Sequence, residues 1–384
     1  MIRIKSDRII TGDSEISGYV YIDGSVIAEV SDRDLPVESE YDATGLTVSA
    51  GFIDIHTHGG GGHPFEGEVD DVVKGCNFHL GHGTTSICPT VSAAPLCDMR
   101  RSVENISLAM SSGEVVGTII GAHLEGPYLS SKQAGAQCPD FITPPVKDDY
   151  EALIRDFPGV VARWTYAPEN DTGAHFTAFL TEKGIVCSAG HTDAKYEDMM
   201  AAYNAGCRLI THLYSCTSTI TRKDGFRSLG VIETAFLEDG ISAEIIADGK
   251  HLPPELIRLI YKIKGKDGIV AVTDSLALAG TDVKSGKMQA TEFIIEDGVC
   301  KLMDRSAFAG SIATADRLVR VLTHEAGIPL TEAVAMVSEN PARVMGLENK
   351  GSLTSGYDAD IVIFDTDINV KAVFVGGKPV IDNK

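Results

Sequence analysis

"GFIDIHTHGGGG", residues 51–62, carries an apolar strand-like run into two histidines and four glycines. His56 and His58 alternate around Thr57, so on an extended chain both rings leave the same face. By itself the stretch fits two descriptions. It is either a strand ended by hydrogen-bonded polar residues, or one that delivers two metal ligands to a pocket. The decision rests on how many similar endings follow it along the chain.

Seven more strand-like runs follow: "TTSICPT" (84–90), "VVGTIIGAHLEG" (115–126), "GVVARWTYAPE" (159–169), "GIVCSAGHT" (184–192), "CRLITHLY" (207–214), "ISAEIIADGKH" (241–251) and "GIVAVTDS" (268–275). Helical periodicity separates them, as in "DVVKGCNFHLG", "DAKYEDMMAAYNAG" and "PPELIRLIYKIKG". Eight strand–helix units over residues 51–350 predict an α/β fold, a (β/α)8 TIM barrel of the metal-dependent hydrolase type rather than a doubly wound sheet. Residues 1–50 and 351–384 read instead as short alternating strands with Gly and Asp turns. They predict a small β-sandwich built from both chain termini.

The composition is that of a globular protein, 43% hydrophobic and 23% charged. Its formal charge of -21, from 33 basic against 54 acidic residues, argues against a nucleic-acid or anionic-membrane surface. The eight cysteines are scattered with no Cys-x-x-Cys pair, and Cys88 and Cys187 lie in apolar runs as small core residues. No run of about 18 apolar residues suggests a membrane span, and "MIRIKSDRII" lacks a signal-peptide core. The expectation is a soluble, reduced, cytoplasmic protein.

In such barrels the chemistry sits at the C-terminal ends of the strands. Those ends carry His56 and His58 (first), Glu125 (third), His191 (fifth), His212 (sixth), His251 (seventh) and Asp274 (eighth). One polar residue ending a strand is ordinarily a hydrogen-bonded cap; seven at one end of one barrel point to a site. Imidazole with carboxylate suits Zn2+, Fe2+ or another borderline divalent ion, and a catalytic site leaves one position for water. Glu125, His191 and His212 could supply three ligands, with Asp274 placed to take a proton from that water and pass it to a leaving group. The combination points to hydrolysis of an amide or similar bond. The glycines after His58 would let backbone and substrate approach closely. His63, His79, His82, His175 and His324 read as structural or surface residues. His123 alternates with Glu125 and so shares the barrel interior, but none of these six is expected to bind metal.

The series "GFIDIHTHGGGG … HLEGPYL … SAGHT … THLY … ADGKH … TDSLALAG … FAGS" resembles the N-acetylglucosamine-6-phosphate deacetylases of the amidohydrolase superfamily. The likeness spans nearly the whole chain, including the C-terminal return "GSLTSGYDADIVIFD". It implies a homodimeric enzyme holding one or two divalent ions per subunit and removing acetyl from an N-acetylated amino sugar. Glu125, His191 and His212 match the metal ligands and Asp274 the catalytic aspartate. His251 matches the histidine that contacts the sugar and the amide carbonyl, and Ala309 and Gly310 of "FAGS" match substrate contacts. His56 and His58 permit a second metal, for which Glu125 is the evident bridge, since "WTYAPE" has no lysine.

The departures lie at the substrate's phosphate end. "KQAGAQ" places Ala136 and Gln137 where the family has alanine and a phosphate-contacting histidine. Ser215 and Cys216 stand where it has asparagine and alanine. The family's following Arg-Glu-Pro-Gly element is not kept cleanly, although Arg222, Lys223 and Arg227 lie close by. Arg222 or Lys223 could compensate, from a neighbouring subunit as the family's arginine does, or could equally be solvated loop charges. Glutamine brings no positive charge to a phosphate dianion, so while N-acetylglucosamine 6-phosphate is the leading expected substrate, a related N-acetylhexosamine, differently phosphorylated or unphosphorylated, is expected beside it. Two rivals remain at this level. One is an amidohydrolase acting on a cyclic amide or non-sugar N-acyl substrate; the other is a non-catalytic barrel that only binds.

Overall fold

The computed structural model of the chain describes residues 1–288 and 290–383. The eight expected strands are present as Phe52–Thr57, Thr84–Ser92, Ala122–Glu125, Val161–Tyr166, Val186–Ala189, Leu209–Ile210, Ser242–Ile246 and Ile269–Val272. They pair side by side in chain order, every pair parallel. The eighth returns to the first through Asp274 N to His56 O (2.9 Å) and His58 N to Ser275 O (2.8 Å), which brings the barrel close to closure. Strands one, two, seven and eight are buried at every position. Helices cover one face and barrel side chains fill the other, so such strands read as continuous apolar runs rather than alternating ones.

The outer helices bury one stripe each. Val69–Leu80 turns Val72, Val73, Cys76 and Leu80 inward, and Pro254–Lys264 buries Ile257 and Ile260. Phe176 stands at the centre of an aromatic cluster with Tyr128, Tyr150, Trp164 and Tyr166, ring centroids 4.8–5.4 Å from its own. Beyond the eighth strand lies a three-stranded antiparallel sheet, Ser285–Met288, Thr291–Glu296 and Val299–Leu302, that the sequence reading did not foresee.

Strands from both termini form a separate eight-stranded sheet, in which Thr47–Ala50 pairs antiparallel with Ile361–Phe364. Register breaks between Ser6 and Ile9 and between Tyr21 and Ile22 mark bulges of the kind that let a sheet bend. Its own apolar core includes Ile4, Val20, Ile27, Val48, Ile361 and Phe374. Among the described residues no helix is long and apolar enough to cross a membrane.

Candidate active site

Glu125 ends the third strand and is almost fully buried. Trp164, on the neighbouring fourth strand, donates from Nε1 to the carbonyl of Gly126 at 2.7 Å and pins the turn just past it. His191, His212 and Asp274 lie two residues beyond the last residues of their strands. Each adopts a left-handed backbone, with φ of 46°, 27° and 46°. L-residues with side chains rarely adopt this region, at a cost of about 1–3 kcal/mol each, and such strain clusters at functional sites. Here it turns three side chains back over the barrel mouth.

Four imidazoles are held in the same way. Each Nδ1 has an outer partner: Glu244 Oε1 for His56 (2.8 Å), Ser92 Oγ for His58 (3.0 Å), Gln133 O for His191 (2.9 Å) and Ser215 O for His212 (3.0 Å). A backbone carbonyl or carboxylate can only accept, so Nδ1 is a donor in His56, His191 and His212, and Nε2 is the nitrogen turned toward the cluster and free to ligate once it sheds its proton. The Nε2 atoms converge on one carboxylate. Glu125 Oε1 lies 3.1 Å from His191 Nε2, 2.9 Å from His212 Nε2 and 3.5 Å from His56 Nε2, while Oε2 lies 3.3 Å from His58 Nε2. Two triads result, Glu125–His191–His212 and His56–His58–Glu125, the ligand atoms of each lying within 4.8 Å of one another. Glu125 is common to both.

The donor chemistry fits cations. His56 Nε2 is buried with no hydrogen-bond partner among the described residues. Burial opposes charging the His56 ring, but Glu244 and Glu125 outweigh it and raise the ring to about 9. At His58, Asp274, Glu125 and Glu66 likewise outweigh burial and lift the ring well above its ordinary value. Burial pushes Glu125 and Asp274 up, yet the surrounding rings hold both below the usual carboxylate range. Negative charge enclosed here draws in protons when alone, and a divalent ion bound by bare imidazole nitrogens meets the same demand.

A cavity of about 270 Å3 opens over this cluster. Of the residues singled out in the sequence, His58, Glu125, Ala136, Gln137, His191, His212, Ser215, Cys216, His251, Asp274, Ala309 and Gly310 line it. His56 sits behind the wall, fully buried. Tyr214, Ile246, Met288, Ala307 and Phe308 complete the lining and were not anticipated. His251 donates from Nδ1 to Asp248 at 2.9 Å, and its ring lies 5.0 Å from that of Phe308.

Gln137 has both ends of its amide engaged. Oε1 accepts from Ala93 N (2.9 Å) and Nε2 donates to Glu125 Oε2 (2.7 Å), which aims it at the carboxylate centre. Arg222, Lys223 and Arg227 are not brought into the cavity by their own chain; they project from the exposed hairpin Thr221–Lys223 and Phe226–Ser228. None of Gly59, Gly60, Gly61 and Gly62 lines the cavity. A Cβ at Gly60 would overlap Phe78 Cδ1 and lie 2.8 Å from His79 Nε2, so Gly60, like Gly61 beside Phe78, closely approaches the first helix, whereas Gly59 approaches the backbone of His63 and Ala277. His123 lies inside the barrel, with its nitrogens on Thr90 and Thr165.

The amidohydrolase family model matches residues 47–380. The N-acetylglucosamine-6-phosphate deacetylase of Bacillus subtilis is 31% identical over 377 residues, covering 96% of this chain and 94% of that protein. The N-acetylgalactosamine-6-phosphate deacetylase of a Shewanella species is 30% identical over 346 residues, 88% of this chain and 84% of that protein. Among solved structures, the Mycobacterium smegmatis N-acetyl-D-glucosamine-6-phosphate deacetylase D267A mutant, in complex with N-acetyl-D-glucosamine-6-phosphate, superposes with a TM-score of 0.92 at 29% identity over 99% of both chains.

Proposed function

The chain belongs to the amidohydrolase family, among the N-acetylglucosamine-6-phosphate deacetylases, and from that membership we propose that it hydrolyses the acetamide of an N-acetylated hexosamine to acetate and the free amino sugar. The observation that carries this reading is the set of Nε2 atoms gathered on Glu125 beside Asp274. Glu125, His191 and His212 would hold one divalent cation, Zn2+ or Fe2+, and His56 and His58 with Glu125 a second. When bound, such an ion polarises the amide carbonyl and acidifies its water. Asp274, held in its ionised form, accepts a proton from the attacking water and delivers it to the departing nitrogen. His251, oriented by Asp248, presents Nε2 to the sugar and the acetamide oxygen. Phe308 and Met288 give the ring an apolar wall.

The far end of the substrate follows from charge. No lysine or arginine occurs among the described residues that line the cavity, whereas a phosphate dianion is ordinarily held by cationic donors. The proposed substrate is N-acetylglucosamine 6-phosphate or a related N-acetylhexosamine altered at the 6-position, and for a phosphate the cationic donors would be Arg222, Lys223 or Arg227 of a second copy in a homodimer. Phe226, 79% exposed on the same hairpin, supports such a pairing. Eight unpaired cysteines support a reducing, cytoplasmic setting.

The test compares acetate release from N-acetylglucosamine 6-phosphate, N-acetylgalactosamine 6-phosphate and both unphosphorylated sugars. Release from none of them overturns the deacetylase reading. A strong preference for the glucosamine phosphate overturns the altered far end. Asp274→Asn should lower kcat by at least a hundredfold with metal still bound, within the range of general acid–base contributions. Near-normal turnover would remove Asp274 from its role.

A further inference from the structure

Glu244 lies in the middle of the seventh strand and Arg163 in the fourth, both fully buried, and the chemistry above uses neither. A charge pair enclosed this way pays several kcal/mol of desolvation per ion, and apolar residues of similar volume often serve stability as well or better. What the pair touches indicates what it does instead. Arg163 Nη1 meets Glu244 Oε2 at 2.5 Å. The guanidinium is also tied across the barrel, Nη1 donating to Ile55 O (3.0 Å), Nε to Ser188 Oγ (3.1 Å) and Nη2 to Thr211 Oγ1 (2.9 Å), on or beside strands one, five and six. The clamped guanidinium thus sets a fixed positive charge against Glu244.

The other oxygen of Glu244 accepts two hydrogen bonds, one from each half of the site. His56 Nδ1 lies at 2.8 Å and the backbone N–H of His212 at 3.0 Å. The first bond makes Nδ1 the donor and leaves Nε2 as the nitrogen that can ligate, 3.5 Å from Glu125 Oε1 and 3.6 Å from Asp274 Oδ1. The second anchors a residue whose backbone is left-handed, with φ of 27°. His58, His191 and His212 find Nδ1 partners in a hydroxyl and two carbonyls close to the rim. Only His56 takes its partner from a charged group in the barrel interior.

We infer that the Arg163–Glu244 pair is a positioning device: it sets the tautomer and direction of His56, so that cation binding at His56–His58–Glu125 depends on Glu244, while binding at Glu125–His191–His212 depends on it far less. The inference rests on the metal-dependent reading above, and it assigns to two buried residues a role that touches neither substrate nor cation. Outer partners of metal-binding histidines typically contribute 10–100-fold to affinity, and that is the size of the expected loss.

The experiment loads metal-free protein with Mn2+ and reads ions per chain by equilibrium dialysis and spin coupling between neighbouring ions by electron paramagnetic resonance. The wild type should take up two ions with a coupled signal. R163M/E244L removes both charges together and leaves no unpaired buried ion. It should fold by near-ultraviolet circular dichroism, bind one ion as the wild type does and the second 10–100-fold more weakly, and lose the coupled signal at limiting Mn2+. E244Q keeps an acceptor for His56 Nδ1–H and should restore much of the second-ion affinity. A folded double variant that binds both ions with wild-type affinity would make the pair purely structural and overturn the inference. So would a wild type that holds a single ion at saturating Mn2+, although acetate release by that same protein would leave the deacetylase reading standing. Should the variants not fold, 15N spectra of the histidine-labelled, Zn2+-loaded wild type decide. A protonated Nδ1 and a coordinated Nε2 at His56 are expected, and coordination through Nδ1 would overturn the assignment.

Discussion

Acid should destabilise this protein partly through His79, an imidazole outside the metal ligand set, and His79→Gln should remove that part. His79 lies in the first helix and is fully buried. Its Nε2 donates to the carbonyl of Gly59 at 2.9 Å, and its Nδ1 is buried with no hydrogen-bond partner among the described residues. Protonation would place a charged N–H where nothing accepts it, so burial drives the ring down to about 4, against a smaller opposing effect from the Gly59 bond. The unfolded chain titrates near 6.5, so between about pH 6.5 and 4 it binds a proton that the native state does not. Stability from this residue is therefore complete above about pH 6.5 and is lost as pH falls toward 4. The slope is about 1.4 kcal/mol per pH unit and the total about 3 kcal/mol. Glutamine keeps a donor for Gly59 and does not titrate. Urea unfolding of both proteins from about pH 4 to 8, with chelator present, gives the difference curve, which cancels the acid sensitivity they share. It should be flat above about pH 7, and the variant should gain about 3 kcal/mol on the wild type by pH 4. Parallel curves would refute the reasoning.

Metal uptake by the metal-free protein at about pH 7.5 should release protons. His56 is held at about 9 without a cation and must shed its Nε2 proton to ligate; binding heats measured in buffers of different ionisation enthalpy report the number, and zero would contradict the charge balance described for the site. Gly60→Ala should cost about 1–3 kcal/mol in thermal or urea unfolding, because the new Cβ would overlap the Phe78 ring; an unchanged midpoint would mean that the first helix yields freely. Phe308→Ala should raise KM roughly fivefold with kcat little changed, since one aromatic wall residue stabilises ground and transition states equally, by about 1 kcal/mol. A fall in kcat instead would place Phe308 in the chemistry through its packing on His251.

The barrel was readable because its strands are buried on both faces and come in order, each run ending in a turn. His56 and His58 were readable as a pair for the same reason, since they follow the regular alternation of the first strand. His191, His212 and Asp274 were readable as residues but not as directions. They lie past the strand ends at positive φ, where strand periodicity no longer says which way a side chain points. Met288 and Phe308 were not readable at all. They come from the added three-stranded sheet and the loop after it, whose register to the barrel mouth rests on long-range contacts such as Thr291 Oγ1 to Ala136 O. Arg163 and Glu244 are a different case. In "VARWTY" and "SAEII" a full charge interrupts a run that is otherwise buried, and a charge in that setting demands a partner. The sequence shows the demand, but two strands that are not neighbours in the sheet must be brought across the barrel before the partner can be named. The same holds for the carboxylates at the mouth. Glu125, Asp274 and Glu244 are costly to enclose one by one, and together they make a place where four imidazole nitrogens and a cation are the less costly arrangement. The ligand geometry is thus a consequence of where the barrel buries its acids, and Glu244 is an acid that acts on the site through His56 without lining the cavity.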